Sequence, residues 1–340
     1  MSSKRVKITD VAAHAGVSVT TVSMVLGNKG RISDATIAKV NQAVEELGYR
    51  RNTAAANLRS NQSNLIGLIL RDISDPYYSE VTAGIAEAIE KQGYMLFLAQ
   101  CGQDGGKLEQ CVQSMLQHDV AGIIFTPIRG QSESVIRTLR DANVPAATIG
   151  RALPEQTLDY IGPDNNQAAR LATRYLVDKG HRHIAYLGGT SDSLTRAERI
   201  GGYCATLMQY GLPFKNEWII ECDNHPKTAK DACADLLHQH PKITAVVCHR
   251  PAVATGALYG IKQVGRNVGK DNYIGQQVAV ISFDDSPEAE LTYPSLSVVK
   301  NDERQIGIRA GEQLLARMKQ SSMQAETIIM PSQLVERESA

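Results

Sequence analysis

The sequence predicts a small all-α head joined to an α/β body built as two doubly wound, parallel-sheet lobes. Three observations carry this. Residues 7–50 show helical periodicity punctuated by glycine and serine. From Asn64 onward, short apolar runs alternate with amphipathic helical stretches. Seven or more such runs over about 270 residues fit two sheets better than one.

Size and charge agree with that division. A chain of 340 residues has room for two or three domains. Its formal net charge is zero, yet residues 1–62 hold nine Lys and Arg against four Asp and Glu, while residues 63–340 hold 27 against 32. A basic head on an acidic body suggests that the head meets a polyanion, although a solvated surface would look the same.

The head comes first. Ile8, Val11, Ala12 and Ala15 recur at helical spacing, and Gly16 stops that helix. Val17 plugs the turn, and Ser18 is placed to cap a second helix running to Leu26 with Val22, Val25 and Leu26 inward. Ser33 is placed to cap a third, with Ile37, Val40, Val44 and Leu47 on one face and Gly48 at its end. Helix, glycine-bearing turn and a short polar-faced helix make a helix-turn-helix pattern. Val19, Thr20, Thr21, Ser23 and Met24 face outward, small and uncharged, which suits phosphates and thymine methyls. From periodicity alone, a three-helix bundle that binds protein fits as well.

The motifs narrow that choice. Ile8-Thr9-Asp10-Val11-Ala12, Ala15-Gly16-Val17-Ser18 and Thr21-Val22-Ser23, continued by residues 40–49 and 51–58, resemble the signature of the lactose/galactose repressor family of bacterial transcription regulators. The resemblance covers essentially the whole chain. It implies a sequence-specific DNA-binding regulator, a repressor of carbohydrate-utilisation genes, whose body has the periplasmic-binding-protein-like fold. Position by position, it makes Val19, Thr20 and Met24 base readers. Thr21, Ser23, Arg31, Ser33, Thr36 and Asn52 become backbone-positioning residues, and Ser18 joins the DNA-binding set. Met24 departs from the family, which commonly has Arg there; a thioether cannot fork onto guanine, so the operator should differ at that position.

Residues 53–62 carry short side chains and one large apolar residue, Leu58. An Ala-rich piece this short is marginal as a free helix, and as composition alone it reads equally as a spacer. The resemblance implies a hinge helix lying in the minor groove, with Ala55 and Leu58 at the DNA and the leucine wedged between base pairs. The expected division is therefore 1–52 for the head, 53–62 for the hinge and 63–340 for the body.

In the body, the apolar runs fall at residues 65–70, 95–99, 121–126, 145–149, 184–188, 245–248 and 278–283. Helical stretches between them cover residues 81–92, 108–118, 166–179, 199–210, 228–240 and 252–264. The first lobe is expected at about 64–164 plus 297–325, and the second at about 165–296 plus 326–337. Ligands of such sheets sit beyond the carboxyl ends of strands. That rule selects Tyr77 and Tyr78, whose rings suit a ring-shaped ligand, then Arg151, Asp164, Arg199, Arg250 and Asp284. Individually, any of these charges could be a surface ion pair. The resemblance makes Arg199, in Arg-x-x-Gly-Tyr, an effector-binding arginine, and Asp284, in Phe-Asp-Asp, an acceptor for ligand hydroxyls. Arg250-Pro251 departs from the family's usual Asn-Asp. The effector is expected to be a sugar or sugar derivative. Arg151, Arg199 and Arg250 together point to an anionic group on it, whereas pairing with Asp164, Asp284 and Asp285 would leave a neutral one.

Other classes find less support. No Gly-x-Gly-x-x-Gly, Walker A lysine or Gly-x-Ser-x-Gly elbow occurs, so neither an enzyme nor a cofactor is expected. The six cysteines form no Cys-x-x-Cys, no His cluster has zinc spacing, and no metal is expected. No run approaches the ~18–20 apolar residues of a membrane span, and Met1–Arg5 leads into charged sequence rather than a secretory segment. The expectation is a cytoplasmic, nucleoid-associated protein with no membrane contact. Two-fold symmetry should match a homodimer to a pseudo-palindromic double-stranded operator, and without a leucine heptad tail no tetramer is expected.

Overall fold

The computed structural model describes residues 6–27, 30–49, 63–128, 130, 132–151, 153, 157–273, 276–320 and 322–340. The chain divides into two compact units, Met1–Ser63 and Asn64–Ala340.

The head unit contains α1 (Ile8–Ala15), α2 (Val19–Leu26) and α3 (Asp34–Glu46). Gly16 ends α1 in the left-handed region at φ 67°. The Val17 N–H then donates back to the Ala12 carbonyl at 3.1 Å. The axes of α1 and α2 turn by 104°, inside the range of a helix-turn-helix. Val11, Val22 and Val40 are fully buried at the junction of the three helices. A bond of 2.7 Å between His14 Nε2 and Glu46 Oε2 ties α1 to α3. The expected hinge, residues 53–62, lies outside the described residues.

The body opens with β1 (Leu65–Leu70), α4 (Pro76–Glu90), β2 (Met95–Gln100), α5 (Gly105–Gln117), β3 (Gly122–Phe125), α6 (Glu133–Asp141), β4 (Ala146–Ile149) and β5 (Asp159–Pro163). It continues with α7 (Asn165–Asp178), β6 (Ile184–Leu187), α8 (Leu194–Gln209), β7 (Ile219–Ile220), α9 (Pro226–Gln239), β8 (Ala245–Cys248), α10 (Pro251–Gln263), β9 (Asn267–Val268), β10 (Gln277–Phe283) and β11 (Ser297–Lys300). It ends with α11 (Glu303–Lys319), β12 (Thr327–Met330) and β13 (Gln333–Val335).

Two sheets result. The first runs β12-β5-β4-β3-β1-β2, with every neighbouring pair parallel. The second runs β13-β11-β10-β8-β6-β7, with β9 beside β10, and only β13 is antiparallel to its neighbour. Strands covered by helices on both faces read as near-continuous apolar runs, which is why β1 is Leu-Ile-Gly-Leu-Ile-Leu. In the first lobe, α4 and α11 approach closely because Gly84 and Gly307 face one another's helix. A Cβ at Gly84 would strike the Arg304 carbonyl, and one at Gly307 the Val81 carbonyl.

Two segments change sides relative to the sequence expectation. Residues 297–300, expected in the first lobe, form β11 and pair in the second sheet, Ser297 opposite Ile281. Residues 327–330, expected in the second lobe, form β12 and pair in the first sheet, Thr327 opposite Tyr160. Ser-Val-Val-Lys and Thr-Ile-Ile-Met are short and alike in character, so only tertiary pairing decides which sheet receives each. The chain therefore crosses between lobes at residues 163–165, 300–303 and 330–333. Among the described residues, no single helix is long and apolar enough to cross a membrane, and no cluster of His, Cys, Asp and Glu is placed to hold a metal ion.

Candidate functional site

Ser18 organises the start of α2. Its Oγ accepts the Thr21 N–H at 3.0 Å and pairs with the Thr21 hydroxyl at 2.8 Å, satisfying an orphan donor of the first turn. Thr20 and Met24 are exposed, and Thr21 and Ser23 are half-buried. Val19, read from sequence as outward, is half-buried and packs against the head's core. The Met24 side chain lies against Gly30, which sits in the left-handed region at φ 83°. Arg31 and Ser33 are exposed and Thr36 is half-buried. Ser33, expected to cap α3, makes no side-chain bond to the helix backbone. It pairs with the Thr36 hydroxyl at 2.9 Å instead, a local alternative open to serine. Asn52, Ala55 and Leu58 lie outside the described residues.

In the body, the carboxyl ends of β1, β8 and β10, together with α8, bring four charges together. Asp75 caps α4, accepting the Tyr77 N–H at 3.1 Å. Its other oxygen meets Arg250 at 3.0 Å, from the loop after β8 in the opposite lobe. Arg250 also reaches Asp284, after β10, at 3.6 Å. Asp284 is buried at φ 63° and accepts from Asn301 at 2.8 Å and Arg199 at 3.4 Å.

Arg199 is 2% exposed and its guanidinium is fully engaged. Nε donates to Asn165 at 3.1 Å, one terminal nitrogen donates to the His249 carbonyl at 2.6 Å, and the plane lies 4.3 Å from the Phe283 ring centroid. His249 is itself buried, its Nδ1 2.7 Å from the Tyr186 hydroxyl. Burial, together with Arg199, Arg250 and Arg196, holds its imidazole neutral. Two guanidiniums face two carboxylates here, so this centre is balanced in charge.

The other expected residues separate. Tyr77 and Tyr78 do not offer faces to the cleft; they pack edge-to-face, centroids 5.2 Å apart, in the first lobe's core. The Tyr77 hydroxyl is buried without a protein partner. Asp164 caps α7 through the Gln167 N–H at 2.8 Å. Arg151 lies elsewhere, donating to the Asp192 carbonyl at 3.2 Å and lining a cavity of about 720 Å³ between β3, β4, α6 and the start of α8. Sequence reasoning missed Asp75 as a partner, and it missed Asn165 and Asn301, which stand at two of the three crossings. Their position just past a strand was the available signal. Glu303, at the second crossing, was missed too. Burial, then the nearby Asp284, pushes its carboxyl up to about 8.

Comparison with known proteins places this geometry. The model for periplasmic binding proteins and the sugar binding domain of the LacI family matches residues 63–338, and that for bacterial regulatory proteins of the lacI family matches residues 7–52. The chain belongs to the LacI family. As a LacI-family member it is a DNA-binding transcription regulator, with the helix-turn-helix in residues 7–52. The chain is 42% identical to the maltose regulon regulatory protein MalI of Escherichia coli K12 over 98% of each chain. It is 70% identical to MalI of Vibrio furnissii over 38% of this chain and 93% of that one. The lac repressor dimer bound to operator and the anti-inducer ONPF superposes with a TM-score of 0.87, at 25% identity and 99% coverage of both chains. The LacI-family fold thus confirms the α head and the two-lobed α/β body.

Proposed function

We propose that this chain is a repressor of carbohydrate-utilisation genes, acting in the cytoplasm on nucleoid DNA as a homodimer on a pseudo-palindromic operator. Its control comes from a small effector, a sugar or sugar derivative, acting between the two lobes. The chemistry is binding and release, with no reaction catalysed. In the head, Val19, Thr20 and Met24 read bases. Ser18, Thr21, Ser23, Arg31, Ser33, Thr36 and Asn52 position the backbone, and Ala55 and Leu58 enter the minor groove.

The bridge from Asp75 through Arg250 to Asp284 carries this reading. It joins strand ends of both lobes, so any ligand that competes with it or completes it binds the open and closed arrangements unequally. Differential affinity is the only way a ligand can shift such an equilibrium. Arg199, Asp284 and the unpartnered Tyr77 hydroxyl supply the polar groups around the bridge. The dimer on operator reported for the lac repressor, and the maltose regulon named for MalI, support the assembly and the class of target genes.

The test is operator selection from random DNA, followed by fluorescence anisotropy with and without neutral and phosphorylated sugars. A pseudo-palindromic site should emerge, and one sugar class should change its affinity. Removal of residues 1–62 should abolish DNA binding while leaving ligand binding by the body. Selection that enriches no site, or an operator affinity that no sugar alters, would count against the proposal.

A further inference from the structure

We infer that the effector of this protein is a sugar carrying an anionic group, phosphate foremost, and that the anion is held in the cavity beside α6 by Arg137, Arg140 and Arg151. This rests on the reading that a small effector acts between the lobes, and it names the ligand's chemistry.

The walls of the cavity carry the argument. At about 720 Å³ it has the size of a small-molecule site. Arg137 and Arg140 stand three residues apart on α6, so their guanidiniums share one helix face. Both are exposed, and among the described residues neither forms an ion pair. Arg151 enters from the end of β4. The carboxylates of the lining are Glu133 and Asp192, and Asp192 is held ionised by the Thr190 hydroxyl.

Helix termini add to this field. The first turn of α6, at Ser132 and Glu133, and the first turn of α8, at Ser193 and Leu194, both line the cavity. Helix N-termini present unpaired N–H groups and a partial positive charge. A further, half-buried cation lies close by. Arg71 acts on Asp192 together with Arg151, and the Arg71 Nε is buried without a hydrogen-bond partner.

The two sites therefore differ in kind. The centre at Asp75, Arg250, Asp284 and Arg199 is balanced and suits hydroxyls. The cavity is cationic and suits a bidentate oxyanion, which guanidiniums match better than lysine does. Ile128, Ile136 and Leu194 supply apolar surface for the face of a sugar ring between them.

Calorimetry on the full chain tests the inference with four probes: inorganic phosphate, glucose 6-phosphate, glucuronate and glucose. Phosphate and glucose 6-phosphate should bind saturably, and glucose at least tenfold more weakly than its phosphate. Glucuronate binding as well as glucose 6-phosphate would assign the anion to carboxylate and keep the inference. The pair Arg137→Ala with Arg140→Ala should weaken the anionic probes tenfold or more. Arg137→Lys with Arg140→Lys should recover part of that loss, and Arg174→Ala, on α7, should have no effect. Absence of saturable binding by any anionic probe, glucose binding as tightly as its phosphate, or a double variant that binds like the parent would each overturn it. Operator selection in the same preparation reports on the regulator reading separately, because a chain that finds its operator but ignores anions fails only here.

Discussion

Arg250 holds Asp75 at 3.0 Å and Asp284 at 3.6 Å, so one guanidinium joins the end of β1 in the first lobe to the end of β10 in the second. Both Arg250 and Asp75 are 21% exposed, which leaves the pair partly desolvated. Arg250→Asn should strip Asp75 of its cross-lobe partner while Asp284 keeps Arg199 and Asn301. We expect a stability loss of ~1–3 kcal/mol by calorimetry and faster backbone hydrogen exchange at the three crossings. Unchanged exchange there would show that the bridge does not restrain the lobes.

Gly30 sets the path of Met24. A Cβ at position 30 would collide with the Met24 methyl, the far end of a flexible side chain, so the thioether rather than the backbone should move. Gly30 also sits at φ 83°, where any other residue is strained by ~1 kcal/mol. Gly30→Asn tolerates that backbone better than Gly30→Ala. Both should alter which base is preferred at the operator position facing Met24, and in a Met24→Ala background they should not. Operator selection on the parent, Met24→Ala and the two Gly30 variants in each background checks this, and Gly30 variants that keep the parent's base preference would dismiss it.

Leu58→Ala tests the proposed hinge. Opening a base step costs a few kcal/mol and is recovered only when an apolar wedge fills it. The variant should lose operator affinity and DNA bending while keeping non-specific binding and its salt dependence. Gel-shift phasing on bent probes reads both, and an unbent parent complex would remove the hinge from the proposal.

Glu303 gives stability a pH dependence of definite sign. Its carboxyl titrates near 4.5 when free and near 8 in the fold, mainly through burial and then through Asp284, with Asp302 and Asp285 adding to the effect. The folded chain thus holds an extra proton between those values. The contribution is fully present below 4.5 and is lost as pH rises through 8. Glu303→Gln should flatten the fall in Tm between pH 5 and 9 relative to the parent. Parallel curves for the two proteins would contradict the assignment.

Gly84→Ala should destabilise the first lobe. Its Cβ meets the Arg304 carbonyl, a backbone atom that cannot swing aside, so α4 and α11 must separate. A cost of ~1–3 kcal/mol is expected from overpacking, visible as a lower Tm. A variant as stable as the parent would mean that this helix pair has slack.

The sequence made the architecture legible because its signals are local. Apolar runs, amphipathic spacing and the Gly16–Ser18 turn depend on neighbours a few residues apart, and the elements read from them lie where those signals fall, while α6, α11 and β5 were not among them. Membership of β11 and β12 was not legible: β12 pairs with β5 across 167 residues, which leaves no mark on a four-residue run, and β11 pairs with β10 only 16 residues back but carries nothing that assigns it to that sheet. The same holds for the site. Arg250 and Asp284 could be found by their place after strands and Arg199, inside α8, by its motif, but their partners could not. Asp75 reads as a helix cap, and nothing in its surroundings in sequence announces an arginine 175 residues away. Tyr77 and Tyr78 misled because an aromatic pair after a strand looks the same whether it faces a cleft or a core.

The three crossings have a mechanical consequence. Each lobe is stitched from chain segments that leave and return, so the lobes share three covalent straps. A protease that nicks one strap leaves two intact, and the cut body should stay assembled on a sizing column. Force applied between the lobes would likewise be divided among three strands of backbone, all leaving from the ends of sheets. Such a joint permits a small rotation about the bundle of straps while resisting separation, and neither lobe can be produced alone by cutting the gene at a single place.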